Sequence, residues 1–343
     1  MKRKTITTPK MNKKIKHTME WKDALKRVVE NSIHTNESQK VIWVVLSPDV
    51  DGVLSFVFLR EWGKQNNVDV ILVGEYDSEK LTLYNAVHLE KVCKQALFLD
   101  LDQHFAEHNI GQHFLGSIEK DKNTYFNPNL NFQIKEYTSK YPYGTAQLIY
   151  WGLDLTFSAI ESDSIAQSLF VHADSTYKNC HKYNANAKWW ASTLFKENVP
   201  ATLSILLDNT YFKTKYNQHI SMLKAISKFV RHSHLPTSWE TCGGFQSCKK
   251  SWKDHGHCTS FMFQLIDCVS HLLSIDTKMP ILQSKRIAWK GKRESVVVDD
   301  VDSFLRENKL QSHAVVFRKK ISVTYGDVKE GEGIKSENEI CLF

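Results

Sequence analysis

The sequence predicts an α/β protein, with a parallel-sheet domain at the N-terminus and a smaller α+β domain at the C-terminus. Short apolar runs alternate with stretches of helical periodicity over the first hundred residues, a pattern typical of βαβ units and a parallel sheet. The 343 residues exceed the length of one average domain, so two domains are expected. We place a basic tail at 1–19, the α/β domain at 20–233 and the C-terminal domain at 234–343.

Six elements are predicted within the first hundred residues. Apolar residues at helical spacing predict three helices, near 21–29, from Val53 onward and over 81–95,. Continuous apolar runs predict three buried strands, at 41–46, 68–76 and 96–103,.

The rest of the chain is less regular in its pattern. We expect, in order, a long polar loop at 116–142, a helix at 144–161, an apolar strand ending in acid at 168–176 and mainly helices over 184–233. A helix at 259–273 and two or three strands with a short helix after residue 285 complete the prediction,.

Bulk composition narrows the class of protein. The sequence contains no run of about 18 apolar residues, so no transmembrane helix is predicted. The basic N-terminal segment lacks the apolar stretch of a secretory signal. Seven scattered cysteines, an odd number, favour free thiols in the cytoplasm or another reducing intracellular compartment. The net charge of +7 is compatible with nucleic acid as a partner,. No membrane partner is expected, and the oligomeric state is left open.

Carboxylates follow three separate apolar runs, "VVLSPDVDG", "LFLDLD" and "FVHAD". They are Asp49, Asp51, Asp100, Asp102 and Asp174. Because the carboxyl ends of parallel strands meet at one crevice, these side chains would crowd together and repel one another. A hard divalent ion such as Mg²⁺ or Mn²⁺ would relieve that repulsion. Taken singly, each aspartate is also a common helix cap or turn residue.

The same segments, in this order, resemble the motifs of the DHH phosphoesterase superfamily. The resemblance covers about residues 41 to 180 and is carried by "SPDVDGVLS", "ALFLDLD", "IGQHFLG", "YPYGTAQLIYWGL" and "FVHADST". It implies a DHH-like α/β domain that binds one or two Mn²⁺ or Mg²⁺ ions and hydrolyses phosphoesters.

The resemblance also implies roles for individual residues. The implied metal ligands are Asp49, Asp51, Asp100, Asp102, His113 and Asp174. The catalytic residues among them would be Asp49, Asp51, Asp100 and His113. Asp102 is either a replacement ligand or a partner of one, and Gly144 and Thr145 at a helix start would contact phosphate.

Three departures from the family pattern make this a divergent member. Ser47 stands at the first metal-ligand position, and Gly111 and Gln112 replace two residues of the Asp-His-His signature, of which only His113 is kept. An alternative alignment places the signature at 102–104. The C-terminal half also lacks a clear Gly-Gly-His stretch of the usual substrate domain, and its nearest counterpart is "CGGFQS".

The expected function is metal-dependent hydrolysis of single-stranded nucleic acid or short oligonucleotides, as an exonuclease or oligonucleotide phosphodiesterase. Trp289 and Tyr325, beside basic residues, would suit base stacking,. One alternative is a catalytically inactive DHH fold that binds nucleic acid or a replication partner. Another is a small-molecule phosphoesterase or pyrophosphatase.

Overall fold

The structure is a computed structural model of the chain. It describes residues 21–36, 38–76, 80–85, 87–116, 120–162, 165–208, 210, 258–275, 285–300, 303–304, 307–308, 310, 312–317 and 320–325. The predicted basic tail at 1–19 and the boundary at residues 233 and 234 lie outside the described residues.

A mostly parallel sheet forms the centre of the molecule. Its strands are β1 (His34–Asn36), β2 (Gln39–Leu46), β3 (Asp69–Tyr76), β4 (Lys80–Tyr84), β5 (Leu97–Leu99), β6 (His108–Ile110), β7 (Tyr125–Phe126) and β8 (Lys285–Lys290). They run in the order β7-β6-β5-β2-β3-β4-β8, and β1 pairs with β2. The five strands from β7 to β3 are parallel, whereas β1, β4 and β8 are antiparallel to their neighbours.

Helices surround this sheet. They are α1 (Trp21–Asn31), α2 (Val50–Gln65), α3 (Leu89–Gln95), α4 (Pro128–Asn131), α5 (Thr145–Gly152), α6 (Ser158–Glu161), α7 (Ile165–His172), α8 (Thr176–Lys182), α9 (Asn184–Phe195), α10 (Ala201–Leu207) and α11 (Cys258–Leu272). Two 3-10 helices span Tyr137–Ser139 and Ala173–Ser175. Within the described residues, no helix is long and apolar enough to cross a membrane.

Strand β2 shows why the first apolar run is continuous. Its alternate residues Ile42 and Val44 pack into the core on one face of the sheet, and Val41 and Trp43 pack into the core on the other face. Both faces are therefore covered, which is the usual condition of a parallel strand. The α/β prediction is confirmed for this part of the chain.

The C-terminal residues contribute to two sheets. A separate antiparallel sheet contains β9 (Lys292–Val297), β10 (Ser312–Phe317) and β11 (Lys320–Tyr325). Strand β8 instead extends the central sheet beside β4, and α11 contacts α2. The central sheet therefore includes a strand from the range assigned to the C-terminal domain.

Several predicted elements differ from the structure. The helix expected over 81–95 is strand β4 followed by α3, since residues such as Leu81 and Leu83 pair with neighbouring strands. The strand expected at 168–176 is the end of α7 and a 3-10 helix, because a short apolar run does not distinguish a buried strand from a buried helix,. The loop at 116–142 contains β7, α4 and a 3-10 turn, and the helix at 144–161 divides into α5 and α6.

Candidate functional site

The carboxyl ends of β2 and β5 bring Asp49 and Asp100 to opposite sides of one hydroxyl group. Ser47 Oγ lies 3.0 Å from Asp49 Oδ1 and 2.6 Å from Asp100 Oδ2. A serine hydroxyl carries one proton, so it can donate fully to only one of these carboxylates at a time. The other contact is favourable when the carboxyl group itself is protonated. The two acids therefore share one donor at the position where the family pattern has a metal ligand.

Asp49 also begins helix α2. Its Oδ1 accepts a hydrogen bond of 3.0 Å from the backbone N–H of Gly52, which makes Asp49 the N-cap residue,. The helix consequently begins at Val50 rather than near Val53. The helix-cap interpretation of Asp49 is thus confirmed.

Asp51 connects α2 to the start of α5. Its two carboxylate oxygens each accept a 2.8 Å hydrogen bond, Oδ2 from Thr145 N and Oδ1 from Ala146 N. A carboxylate is stabilised at a helix N-terminus because free N–H groups and the helix dipole meet there. Thr145 Oγ1 additionally donates to Asp100 Oδ1 over 3.0 Å.

The predicted phosphate contacts at Gly144 and Thr145 are already used by the protein. Gly144 N donates to Gln147 Oε1 and to Thr176 Oγ1, both at 2.8 Å, and Thr145 N donates to Asp51. A Cβ atom at position 144 would lie 2.7 Å from Asp51 Oδ1. Glycine is therefore needed here so that the acid can approach the helix.

Asp102 is bound by donors from four directions. It accepts hydrogen bonds from the Tyr125 hydroxyl, from Asn127 Nδ2 at 2.9 Å and from His113 N at 3.2 Å. His113 Nδ1 lies 2.9 Å from Asp102 Oδ2. The side chain of Asp102 is only 2% exposed, whereas that of His113 is 38% exposed. Asp102 therefore holds the His113 ring through Nδ1 while part of the His113 side chain stays exposed.

Gly111 lies against the side chain of Asp102. A Cβ atom there would lie 2.5 Å from Asp102 Cγ, closer than any real contact. The carboxylate of Asp102 thus occupies the volume that a side chain at position 111 would need. The neighbouring Gln112 donates from Nε2 to Asp174 Oδ2 over 2.8 Å.

Asp174 lies at the exposed side of the cluster, in the 3-10 helix after α7. Its backbone has φ of 46°, and Asp100 has φ of 56°. Aspartate enters this left-handed region more readily than most residues other than glycine. At both residues the backbone therefore departs from the regular geometry of the preceding strand or helix.

Burial and neighbouring acids raise the pKa of Asp49, Asp51 and Asp100. Burial raises the pKa of Asp51 well above its usual value, and the charges of Asp100, Asp174 and Asp49 raise it further. Burial, together with the charges of Asp49 and Asp174, likewise raises the pKa of Asp100 well above its usual value. Burial also raises the pKa of Asp49, although the Gly52 N–H and the Ser47 hydroxyl oppose the rise.

The charge of Asp102 is compensated by its partners. Burial acts to raise its pKa, but the hydrogen bonds and charge of His113 and the bonds from Tyr125 and Asn127 outweigh it, so the pKa is lowered. Burial acts to lower the pKa of His113, and the bond and charge of Asp102 reverse this effect, so that pKa is raised. Lys140 opposes the rise at His113 through its charge.

Sequence analysis did not find every residue of this site. Tyr125, Asn127 and Lys140 all lie in the segment expected to be a polar loop, and no motif marks them. Trp289 was expected to stack on bases, but it is 3% exposed and its ring stacks on Tyr76 at 5.9 Å. That expectation is wrong, because strand β8 carries Trp289 into the core beside α3.

The donor atoms suit a hard divalent ion, but their positions do not enclose one. Carboxylate oxygens are the ligands that Mg²⁺ and Mn²⁺ prefer. Among the described residues, however, no group of three or more His, Cys, Asp or Glu side chains could hold a metal ion as they stand. The Ser47 hydroxyl occupies the space between Asp49 and Asp100. An ion there would require the local side chains to rearrange.

Comparison with known proteins adds no family to this description. No model of a known protein family matches the chain, and no curated protein is similar to it. The likeness to the DHH superfamily rests on the residues of the chain itself and stays a hypothesis.

Proposed function

We propose that the chain is a divergent DHH-like phosphoesterase that uses Mn²⁺ or Mg²⁺ to hydrolyse phosphodiester bonds of short single-stranded nucleic acid. The observation that carries the proposal is the meeting of Asp49 and Asp100 on one hydroxyl group at the carboxyl edge of a parallel sheet, where burial and neighbouring acids raise the pKa of both. Such mutual repulsion destabilises the folded chain unless a cation is bound, and perturbed carboxylates of this kind cluster at functional sites.

The residues would divide the work as follows. Asp49, Asp100 and Asp174 face one another around the cluster and would bind the ion, and Asp51 would hold the adjoining end of α5 in place. A bound ion would supply a water molecule of lowered pKa and would stabilise charge on phosphoryl oxygens. One ion is more consistent with this chain than two, because position 111 has no room for a side chain that could bridge a pair.

His113 would contact the phosphate. Asp102 accepts from Nδ1 and fixes the ring, whose side chain is partly exposed. The raised pKa keeps the ring positively charged more often than a free imidazole. A cationic donor held in one orientation stabilises negative charge on a phosphoryl oxygen.

A second candidate function is binding without hydrolysis. It is favoured by the observation that Asp49, Asp51, Asp100 and Asp174 each already accept hydrogen bonds from the protein. Ser47 and Gly111 also stand where the family pattern has metal ligands. A fold of this kind would bind nucleic acid or a protein partner through its surface.

Hydrolysis of a 5′-labelled single strand and of a dinucleotide, with and without Mn²⁺, tests the proposal. The variant Asp49→Asn/Asp174→Asn removes two charges at the site, and asparagine remains a good helix cap at position 49. We expect the rate to fall by at least about 100-fold, since even indirect metal partners contribute 10–100-fold. The control variant Asp154→Asn should keep full activity, because Asp154 pairs with Lys22 and Lys26 and is not one of the acids of the site.

The unfolding temperature with and without Mn²⁺ separates the alternatives. An ion at about 100 times its dissociation constant adds about 2.7 kcal/mol to the free energy of unfolding. Stabilisation without hydrolysis of either substrate would favour a small-molecule phosphoesterase. If Mn²⁺ neither stabilises the chain nor supports hydrolysis, the proposal is contradicted and the binding function remains.

A further inference from the structure

A pocket rich in lysine lies beside the acidic site, formed by β7, α4 and the segments next to them. Its volume is about 510 Å³, within the range of pockets that bind small molecules,. Lys120, Lys122 and Lys135 line it, and no Asp or Glu is among its described lining residues. The described lining of the pocket therefore carries three positive charges.

Tyr125 contacts both the pocket and Asp102. Tyr125 lines the pocket, and the ammonium group of Lys120 lies 5.2 Å from the centre of its ring. The hydroxyl group of the same ring donates to Asp102, which holds His113. A ligand that reached from His113 past Tyr125 would place its next part among the lysines.

Of the three lysines that line the pocket, Lys120 is the most buried. It is half-buried, whereas Lys122 and Lys135 are exposed. Burial lowers the pKa of Lys120, and the charge of Asp102 only partly opposes this effect. An anion in the pocket would replace the water that Lys120 has lost, so the enclosed lysine favours an anionic ligand.

We propose that this lysine pocket binds the sugar–phosphate backbone of a single strand, on one side of the phosphodiester held at the acidic site. Lysine is a common phosphate ligand that acts as a compact point charge. Leu130 and Ile134 also line the pocket and offer apolar surface to a sugar or base, and Asn131 and Gln133 offer amides. The inference rests on the proposed function, because it assigns the strand that the acidic site would cut.

Binding measured without divalent ions tests this pocket separately from catalysis. The probes are a fluorescein-labelled tetrathymidylate and inorganic pyrophosphate, both in EDTA, with the full chain. The variant Lys120→Gln/Lys122→Gln/Lys135→Gln removes three charges from the pocket. The control Lys40→Gln/Lys188→Gln/Lys196→Gln removes three exposed charges from residues that do not line it.

We expect the pocket variant to bind tetrathymidylate at least about tenfold more weakly than wild type, and the control to stay within about twofold. The slope of log affinity against log salt should fall by about 2, since each phosphate contact on a single strand contributes roughly 0.7. Circular dichroism should show that all three proteins are folded.

Three results would overturn the assignment. They are equal loss of affinity in the pocket variant and the control, no binding of tetrathymidylate by wild type, and binding of pyrophosphate alone. Because no step of the test needs hydrolysis, a chain that binds the strand but never cuts it would reject the proposed activity and keep the pocket.

Discussion

Asp100 and Asp102 are two residues apart at the end of the same strand, yet their carboxylates have opposite electrostatic environments. The pKa of Asp100 is raised by burial and by other acids, and the pKa of Asp102 is lowered by its partners although it is equally buried. In a regular strand two such side chains would share a face, but Asp100 has a left-handed backbone with φ of 56°, so the strand geometry ends there and Asp102 has a different environment. Burial by itself therefore does not decide whether an acid is ionised, and the neighbouring groups do.

The donors differ in kind at the two carboxylates. Asp100 receives hydroxyl groups from Ser47 and Thr145, both neutral, and faces further acids. Asp102 receives an imidazole that carries charge when protonated, together with Tyr125 and Asn127. A charge-assisted hydrogen bond is about twice as strong as a neutral one. These environments favour the ionised form of Asp102 beside His113, whereas they favour the protonated form of Asp100 unless a cation is bound,.

The largest effect on stability is expected when Asp102 is replaced by asparagine in metal-free buffer, compared with the same replacement at Asp100. Asp102→Asn removes a buried charge that His113, Tyr125 and Asn127 bind, and a lost hydrogen bond to a charged group costs about 1.5–3 kcal/mol of unfolding free energy,. Asp100→Asn removes a repulsive charge and should change stability by less than about 1 kcal/mol. Asparagine also tolerates the left-handed backbone at position 100. Urea unfolding at neutral pH measures both, and similar losses in the two variants would contradict the distinction.

Gly111→Ala should have an intermediate effect. The new methyl group would displace the Asp102 carboxylate, and overpacking of this kind costs about 1–3 kcal/mol,. In an Asp102→Ala background the carboxylate that would collide with the methyl group is absent, so Gly111→Ala should cost close to zero there. Urea unfolding of the four proteins completes a double-mutant cycle. An additive result would show that Asp102 is not what excludes a side chain at position 111.

The pH dependence of stability should show the smallest effect. Asp102 has a lowered pKa, so its contribution is present above its unfolded value of 3.8 and is lost as the pH falls through its folded pKa,. His113 has a raised pKa, so its contribution is complete below 6.5 and is lost as the pH rises through its folded pKa,. The pair therefore stabilises the fold most between these two values.

The measurement compares wild type with His113→Gln in EDTA, by urea unfolding from about pH 5 to about pH 8. The difference in unfolding free energy between them should shrink as the pH rises. This subtraction removes the effect of His34 and His108, whose pKa values are lowered by burial and which act in the opposite direction. A difference that stays constant would show that folding does not shift the pKa of His113.

Local patterns identified a large part of the fold. The strands at 41–46 and 68–76 and the helices near residue 21 and over 259–273 are present in the structure. The expectation that acids after β2 and β5 meet is also met, because Ser47 contacts both Asp49 and Asp100. These features depend on side-chain periodicity and on the geometry of parallel strands. Both can be predicted from residues that are close together in the sequence.

Other features depend on partners distant in the chain. The helical state of 168–176 follows from packing of Phe170 and its neighbours into the main core, since a short apolar run suits either state,. Strand β4 exists because β3 and β8 pair with it, and β8 comes from about two hundred residues further along,. No local pattern contains that pairing.

The sequence by itself determined the α/β class, the positions of the first strands and the gathering of acids at one edge of the sheet. Only the tertiary structure decided what each acid does there. Asp51 meets the N-terminus of α5 from 94 residues away, and Asp102 meets Tyr125 from 23 residues away. The physical reason is that a carboxylate's charge state depends on which donors and charges surround it, and those arrive from parts of the chain that only folding brings together.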